Sequence, residues 1–150
     1  MEASLFRLRH FTLALLGVFL LSYTASSQNL SGPLSGTLGP GTYYIVSAIS
    51  VGPGDSLTLE PGTVFLFNGN FDFKVFGKLT AIGTETDSIK FMQNSDYIAT
   101  WDGIDFYGAG TDSSRFEYCV VKGSNCIGLE FVTSSPTFLN CTIIDNDSGG

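Results

Sequence analysis

Histidine is almost absent from this chain of 150 residues, and its one histidine, His10, lies near the N-terminus. The rest of the chain has no imidazole for a Ser-His-Asp or Cys-His mechanism, or for a histidine-ligated zinc site. Basic side chains are also scarce, because seven Lys and Arg stand against fourteen Asp and Glu, for a formal net charge of −7. Nucleic acids and anionic membranes require a basic surface, so we expect neither as a partner.

Cysteine is the second scarce residue type, with three in the chain: Cys119, Cys126 and Cys141. An odd number cannot be fully paired within one chain. Cys119 and Cys141 alternate with apolar residues, which favours two buried thiols that act as small hydrophobic side chains. A disulfide between them, or from one of them to Cys126, remains an alternative in an oxidising compartment.

The one long apolar run is "TLALLGVFLLSY" at 12–23, and it follows the basic segment "FRLRHF". Small residues come next, in "TASSQ". This order is typical of a secretory signal peptide over 1–27, cut before Gln28. A membrane-spanning helix needs roughly 20 apolar residues, so a membrane anchor is the weaker alternative. We therefore expect a secreted protein, free or at the cell surface, with no membrane span after cleavage.

The remaining chain has no apolar pattern of helical period over the length of a helix. It has short runs in which apolar residues alternate with polar ones, rich in β-branched and aromatic types, and its glycines lie largely between them. Such runs predict an all-β protein of many short strands. The runs are "YYIVSAISV", "SLTLE", "TVFLF", "FDFKVF", "SIKFM", "GIDFY", "IGLEF" and "FLNCTII".

Internal repetition indicates which all-β architecture to expect. "RFEYCVVKG" at 115–123 returns as "TFLNCTIID" at 137–145, with Phe, Cys and an aliphatic residue each 22 positions later. "GIDF" at 103–106 returns as "GLEF" at 128–131, and Leu57-Thr58 returns 22 positions later. A period of 22 to 25 residues predicts a solenoid, in which stacked coils of three short strands bury a continuous core.

Alternation within the repeats predicts which side chains point into the coil. Asn140 suits a tight bend between two strands, because Asn tolerates left-handed backbone angles. The carboxylates Asp105 and Glu130 should point outward. The side chains expected to point inward are Ile104, Phe106, Leu129, Phe131, Phe138, Cys141 and Ile143.

A set of inward and turn positions carries a resemblance to a known family: Leu57, Thr58, Leu59, Pro61, Gly62, Thr63, Gly77, Leu79, Ala81, Gly83, Thr84, Ile89, Phe91, Trp101, Gly103, Ile104 and Phe106. Over roughly 43–150 the sequence resembles the secreted bacterial right-handed parallel β-helix proteins of the pectate-lyase-like superfamily. The resemblance implies a right-handed single-stranded parallel β-helix over 43–150, preceded by a linker or cap lead-in over 28–42. The chain ends in "DNDSGG" without a capping segment, so we expect the helix to continue beyond 150 in a longer, monomeric protein.

The strongest candidate for chemistry is the pair Asp105 and Glu130, which should lie about 5 Å apart on neighbouring strands. Two carboxylates at that distance can share a proton, bind a cation or cleave a glycosidic bond. The alternative is that both are solvated outward residues of a solenoid. In the resembled superfamily, the strand face with these positions commonly binds sugar polymers.

Metal binding is a weaker possibility. The resemblance implies Ca²⁺ as the cofactor of acidic β-helix lyases, and Asp145 and Asp147 add carboxylates in the last turn, although a turn rich in Asp and Asn is commonly only a turn. We therefore expect no cofactor, with Ca²⁺ as the alternative. The superfamily's lyases use Arg or Lys as the base, but neither Arg115 nor Lys122 is expected beside Asp105.

Aromatic side chains could add a stacking surface for sugar rings. The candidates are Trp101 and Tyr107, together with Tyr97 in the insertion "SDYIAT", which is a plausible surface contact. For Trp101 the alternative is packing at the edge of the coil.

Two functions follow from these patterns. The first is a non-catalytic extracellular module with a structural, adhesive or glycan-binding role. The second is a polysaccharide lyase or glycoside hydrolase, with most of its catalytic residues beyond residue 150.

Overall fold

The computed structural model describes residues 28–97 and 100–147, so the predicted signal peptide over 1–27 lies outside the described residues. Within these ranges the chain forms fourteen strands and one short 3-10 helix, Ala109–Thr111, and none of its helices is long and apolar enough to cross a membrane. The strands are β1 (Gln28–Pro33), β2 (Gly36–Leu38), β3 (Gly41–Val51), β4 (Ser56–Leu59), β5 (Thr63–Phe67), β6 (Asp72–Val75), β7 (Lys78–Ile82), β8 (Ile89–Gln93), β9 (Gly103–Tyr107), β10 (Arg115–Glu117), β11 (Cys119–Lys122), β12 (Leu129–Val132), β13 (Thr137–Leu139) and β14 (Thr142–Ile144).

The strands form three ladders, and every pairing between them is parallel. Ladder A contains the first half of β3, then β5, β8, β11 and β14. Ladder B contains the second half of β3, then β6, β9 and β12. Ladder C contains β2, β4, β7, β10 and β13, and β1 pairs with β3. The chain visits the ladders in turn and returns beside the strand of the previous circuit, so the all-β, parallel and strongly curled structure is compatible with a solenoid-like fold.

The repeats found in the sequence are neighbours in these ladders. Phe116 pairs with Phe138 and Val121 with Ile143. The other two repeats behave in the same way, because Leu57 pairs with Leu79 and the last three residues of "GIDF" pair with those of "GLEF". The prediction that equivalent positions stack between neighbouring circuits is therefore confirmed.

The length of a circuit is not constant. Gly41 pairs with Thr63, 22 positions later, whereas Ala81 pairs with Phe116, 35 positions later. The longer circuit contains the insertion after β8 and the 3-10 helix after β9. The period of 22 to 25 residues is therefore wrong for the middle of the chain, because loops between ladders can grow without changing the register of the strands.

The core is a stack of inward side chains that alternate with outward ones along each strand. In β5 the side chains of Thr63, Phe65 and Phe67 are buried, and Val64 and Leu66 between them are partly exposed. Rings stack from circuit to circuit, as in the edge-to-face contact of Phe65 with Phe91 at 5.5 Å between centroids. Aromatic pairs of this kind add about 0.5–1.5 kcal/mol each beyond their burial.

The last two bends from ladder C to ladder A among the described residues are single residues with left-handed backbone. Tyr118 joins β10 to β11 with φ 49°, and Asn140 joins β13 to β14 with φ 51°. Such angles are rare for residues with a side chain, and Asn adopts them more readily than most. The predicted bend at Asn140 is confirmed, and Tyr118 occupies the same position one circuit earlier.

The last strands of the three ladders within the described residues are covered from one side only. Phe106 in β9 is fully buried, but Phe131, its partner in β12, is 46% exposed, and Leu129 is partly exposed. Phe131 therefore points inward, as predicted, without being buried. Its ring still lies on Phe106, with 5.6 Å between the centroids, but no described strand covers its other side.

Residues 28–42 are more regular than a linker. They contain β1 and β2, which pair with β3 and β4. Leu30 of β1 belongs to the buried core. Residues 28–42 are therefore already part of the parallel sheets.

The three cysteines are free thiols, so the alternative of a disulfide is not observed. Cys119 is buried, Cys141 is partly buried and Cys126 is exposed. A hydrogen bond with Cys141, together with burial, raises the pKa of Cys119. The same hydrogen bond lowers the pKa of Cys141 to about 6.

Candidate functional site

The outward face of ladder B has a row of charged side chains at one register position. Lys74 of β6 pairs with Asp105 of β9, and Asp105 pairs with Glu130 of β12. The neighbours of Asp105 in the strand, Ile104 and Phe106, are fully buried, so alternation directs Asp105 outward. We call Lys74, Asp105 and Glu130 the charged column. Its members lie on successive strands, which are about 4.8 Å apart.

A fourth charge neighbours the column. Asp72, two residues before Lys74, forms an ion pair with the ammonium group of Lys74 at 2.5 Å. The hydrogen bond to Asp72 and its charge raise the pKa of Lys74. Lys74 is therefore held in its charged form, at one end of a site with three carboxylates.

Asp105 is the electrostatically unusual member of the charged column. Burial, followed by the negative charges of Glu130 and Asp72, raises its pKa to about 6, and Lys74 opposes this increase. Asp105 lies between two strands, whereas Glu130 is exposed on the last described strand of ladder B. A carboxyl group with this pKa can accept and release a proton near neutral pH, which an ordinary surface aspartate does not do.

Tyr107 lies two residues after Asp105 and stacks on Phe76. The two ring centroids are 5.2 Å apart and the planes differ by 18°. Burial, followed by the negative charge of Asp105, raises the pKa of Tyr107. Because the facing sides of the two rings cover each other, the pair offers its edges and outer faces to a ligand. Tyr107 is therefore adjacent to the predicted carboxylate pair, as a flank of the charged column.

Trp101, the second aromatic candidate, is a core residue. Its side chain is fully buried and stacks on Phe67, with 4.2 Å between centroids and 19° between planes. The indole Nε1 donates a hydrogen bond of 2.9 Å to the carbonyl oxygen of Lys122. This ring has no exposed face for a sugar, so the alternative of packing in the coil describes Trp101, and its role as a ligand contact is not supported.

Tyr97 lies away from the charged column, in the insertion after β8. Its side chain is 48% exposed and borders an open groove of about 370 Å³. Asn68 of the preceding circuit lines the same groove. The three predicted aromatic contacts therefore lie in different places. Trp101 is in the core, Tyr107 is beside the charged column, and Tyr97 is on a different face.

Asp145 and Asp147, the candidate metal ligands, do not converge on one point. Asp145 forms an ion pair with Lys122 at 3.2 Å, and the backbone N–H of Asp147 donates to the carbonyl oxygen of Ser124. Among residues 28–97 and 100–147 no group of three or more acidic, Cys or His side chains is arranged to hold a metal ion. The described residues thus give no geometric support to a Ca²⁺ site.

Sequence reasoning missed Lys74, Asp72 and Phe76. The alternation in "FDFKVF" places Lys74 outward, and this signal was present in the sequence. Its distance of 31 positions from Asp105 hid the pairing, because the circuit between them includes the insertion after β8. The expectation that Arg115 and Lys122 lie apart from Asp105 agrees with their ion pairs, which join them to Glu117 and Asp145.

Comparison with known proteins gives one short similarity. No protein-family model and no solved structure matches the chain. Among curated proteins, the chain is similar to Protein bark beetle of Drosophila melanogaster, with 41% identity over 58 residues. These residues make up 39% of this chain and 2% of that protein, so the chain spans a very small part of the relative that it matches.

Proposed function

We propose that this protein is a secreted right-handed parallel β-helix of the pectate-lyase-like type, with a non-catalytic structural or adhesive role in which ladder B holds a glycan. The fold part of the proposal is supported by three parallel ladders whose equivalent residues pair from circuit to circuit. Crossover connections between parallel strands are right-handed in about 98% of cases, which supports the proposed hand.

The observation that carries the glycan part is the charged column with its flank. Carboxylates accept hydrogen bonds from sugar hydroxyls, and the ammonium of Lys74 has N–H donors besides the one that Asp72 uses, for hydroxyls or for an acidic sugar. The groups recur at the strand spacing of about 4.8 Å along a straight line. A row of this kind matches a linear polymer that runs along the axis of the solenoid and makes repeated contacts.

Binding of polysaccharides tests this proposal. We expect the full chain to be retained by at least one polysaccharide of a panel of acidic and neutral polymers, and retention to fall in Asp105→Asn and Glu130→Gln. Glu85→Gln is the matched control, because it removes one negative charge from an exposed loop after β7, away from the column. Equal retention of all three variants, or no retention of the protein on any polymer, would remove ladder B as the glycan site.

A polysaccharide lyase or glycoside hydrolase is the second candidate, and one observation favours it. The pKa of about 6 at Asp105 is suited to a general acid, and neighbouring strands bring carboxylates to about the 5 Å separation used by retaining glycoside hydrolases. The opposing observation is that the column lies on the outer face of a sheet, where water has access to the exposed Glu130.

Release of reducing ends or unsaturated sugars separates the two candidates. The assay uses the same polysaccharide panel, with added Ca²⁺ and with a chelator. Binding without release supports the non-catalytic role. Release that disappears in Asp105→Asn would establish an enzyme with its site on ladder B, and release that needs Ca²⁺ would restore the cofactor alternative.

A further inference from the structure

A second surface, separate from the charged column, has the shape and chemistry of a ligand site. It is the open groove of about 370 Å³ on the outside of the corner where ladder A ends. Small-molecule sites in proteins are commonly about 300–1,000 Å³. Six polar or aromatic side chains line it: Asn29, Tyr44, Asn68, Asn94, Asp96 and Tyr97.

The base of the groove is held in place by Asn94. Its amide nitrogen donates to Oδ1 of Asn68 at 2.8 Å, which joins two neighbouring circuits. Its Oδ1 accepts the N–H of Asp96, and its carbonyl oxygen accepts the N–H of Tyr97. Asn94 is only 5% exposed. The turn that presents Asp96 and Tyr97 is therefore fixed before a ligand arrives, and less ordering is needed on binding.

The opposite wall comes from the first circuit. Asn29 of β1 pairs with Tyr44 of β3 in register, so the amide and the phenol stand side by side. Tyr44 is partly exposed and Asn29 is exposed. The groove thus has a tyrosine on each wall, with amide groups on one wall and along its base.

The combination of groups selects a class of ligand. Asn amides both donate and accept hydrogen bonds, a carboxylate accepts two, and tyrosine rings offer apolar faces. A sugar ring uses all of these contacts, because its adjacent hydroxyl groups donate and accept hydrogen bonds and its C–H faces pack on aromatic rings. Among the described residues that line the groove there is no Lys or Arg, and the negative charge of Asp96 disfavours an acidic sugar.

We propose that this groove binds an uncharged sugar residue, with the ring against Tyr97 and adjacent hydroxyl groups on Asp96 and on the amides of Asn29 and Asn68. This site goes beyond the function proposed above, because it lies on a different face and shares no residue with the charged column. The groove would bind neutral glycans, whereas the charged column can also bind acidic ones through Lys74.

The test is titration of the isotope-labelled full chain with methyl glycosides of glucose, galactose, mannose and N-acetylglucosamine, monitored by NMR. We expect at least one of them to shift the backbone amide signals of 94–97 and of Asn29 and Tyr44. Binding should weaken about two- to tenfold in Tyr97→Ala, because a ring contact of this kind is worth about 0.5–1.5 kcal/mol. Asp96→Asn should also weaken it, and Glu85→Gln, which removes one exposed charge outside the groove, should not.

Three outcomes would overturn the proposal. The first is that no glycoside of the panel shifts these signals. The second is binding that persists in Tyr97→Ala and Asp96→Asn but weakens in Glu130→Gln, which would transfer the sugar to ladder B. The third is a larger shift of these signals with a charged probe than with the neutral sugars. The charged probes are galacturonate, an acidic sugar, and tetramethylammonium, a cation that can bind to a carboxylate and an aromatic ring. Thermal unfolding of each variant shows whether it is folded, and Tyr97→Phe, which keeps the ring, should retain most of the binding.

Discussion

The segments 115–121 and 137–143 have the same pattern of Phe, Cys and an aliphatic residue, but the structure treats them differently. Phe116, Cys119 and Val121 are at most 1% exposed. Phe138, Cys141 and Ile143, the equivalent residues one circuit later, are all partly exposed. Both segments direct these side chains inward, and the ring of Phe116 stacks on Phe138 with 4.8 Å between centroids.

The difference comes from the neighbours and not from the residues themselves. Phe116 lies between β7 and β13, whereas Phe138 has a described strand on one side only. Direction is a local property set by alternation along the strand. Burial is a property of the stack, because each circuit relies on the next one to cover its apolar side.

The largest expected difference is between Phe116→Ala and Phe138→Ala. Loss of the fully buried ring should lower the free energy of unfolding by about 3–5 kcal/mol, because it removes buried area and leaves a cavity. Loss of the half-covered ring of Phe138 should cost roughly half as much, since water already reaches part of it. Urea denaturation of both variants measures the two values. Equal losses would contradict the importance of two-sided stacking.

Gly103→Ala compared with Gly128→Ala tests the same contrast in the backbone. A Cβ at Gly103 would lie 2.2 Å from the carbonyl oxygen of Ile127 in the next circuit, and the residue has φ of +101°. We expect a loss of about 3 kcal/mol or more in the free energy of unfolding. A Cβ at Gly128 meets the side chain of Asn146 at 2.6 Å.

The expected cost at Gly128 is smaller, because the obstacle there is an amide side chain that can rotate and not a backbone carbonyl. Circular dichroism melts of both alanine variants compare the two. A Gly128→Ala variant that melts below Gly103→Ala would show that the last described circuit is as tightly constrained as the one before it.

Asp105 and Glu130 repeat the comparison for charges, since only Asp105 is flanked by strands on both sides. The folded state raises the pKa of Asp105 from 3.8 to about 6, so it binds the proton more tightly than the unfolded chain does. Ionisation therefore opposes folding, and the contribution of Asp105 to the free energy of unfolding should fall between about pH 4 and 6. Asp105→Asn should remove this fall and stabilise the protein at pH 7 by roughly 1 kcal/mol, since the carboxyl is partly exposed and water screens it.

Denaturation of the wild type and Asp105→Asn at pH 4 and pH 7 measures this effect. Glu85→Gln is the control, because its carboxylate is in an exposed loop. The free energy of unfolding could change between pH 4 and pH 7 by the same amount in the wild type and in Asp105→Asn. That result would mean that Asp105 is not the group whose raised pKa makes stability depend on pH.

The smallest expected difference is in the reactivity of the thiols of Cys119 and Cys141, which has little influence on the stability of the protein. Cys126 should be alkylated fastest because it is exposed, and Cys119 slowest because it is buried and its pKa is raised. Cys141, whose pKa is lowered to about 6, should react at pH 7 with a pH midpoint below that of an ordinary thiol, which lies near 8.5.

Peptide mapping by mass spectrometry after timed alkylation gives the rate for each cysteine. Cys119→Ala removes the hydrogen-bond donor, so the midpoint of Cys141 should move upward in that variant. A midpoint that stays in place would mean that Cys119 does not set the reactivity of Cys141.

The candidate site was only partly predictable. Asp105 and Glu130 were found because they lie in repeats of 25 residues that align without gaps. Lys74 was not found, because an insertion separates it from Asp105 along the chain while the strands remain adjacent. For Trp101 the sequence left a ligand contact and packing in the coil as alternatives, and only the structure shows that Phe67 covers its ring.

The strands, their inward and outward residues and the stacking of equivalent positions could all be predicted from the amino-acid sequence. These depend on alternation and on a repeat, which are local and periodic signals. The tertiary structure decided which inward residues are buried, which charges meet on ladder B and where the groove at Tyr97 opens. The physical reason is that these properties depend on strands that are distant along the chain, and loops of variable length separate them without changing the register in which they pair.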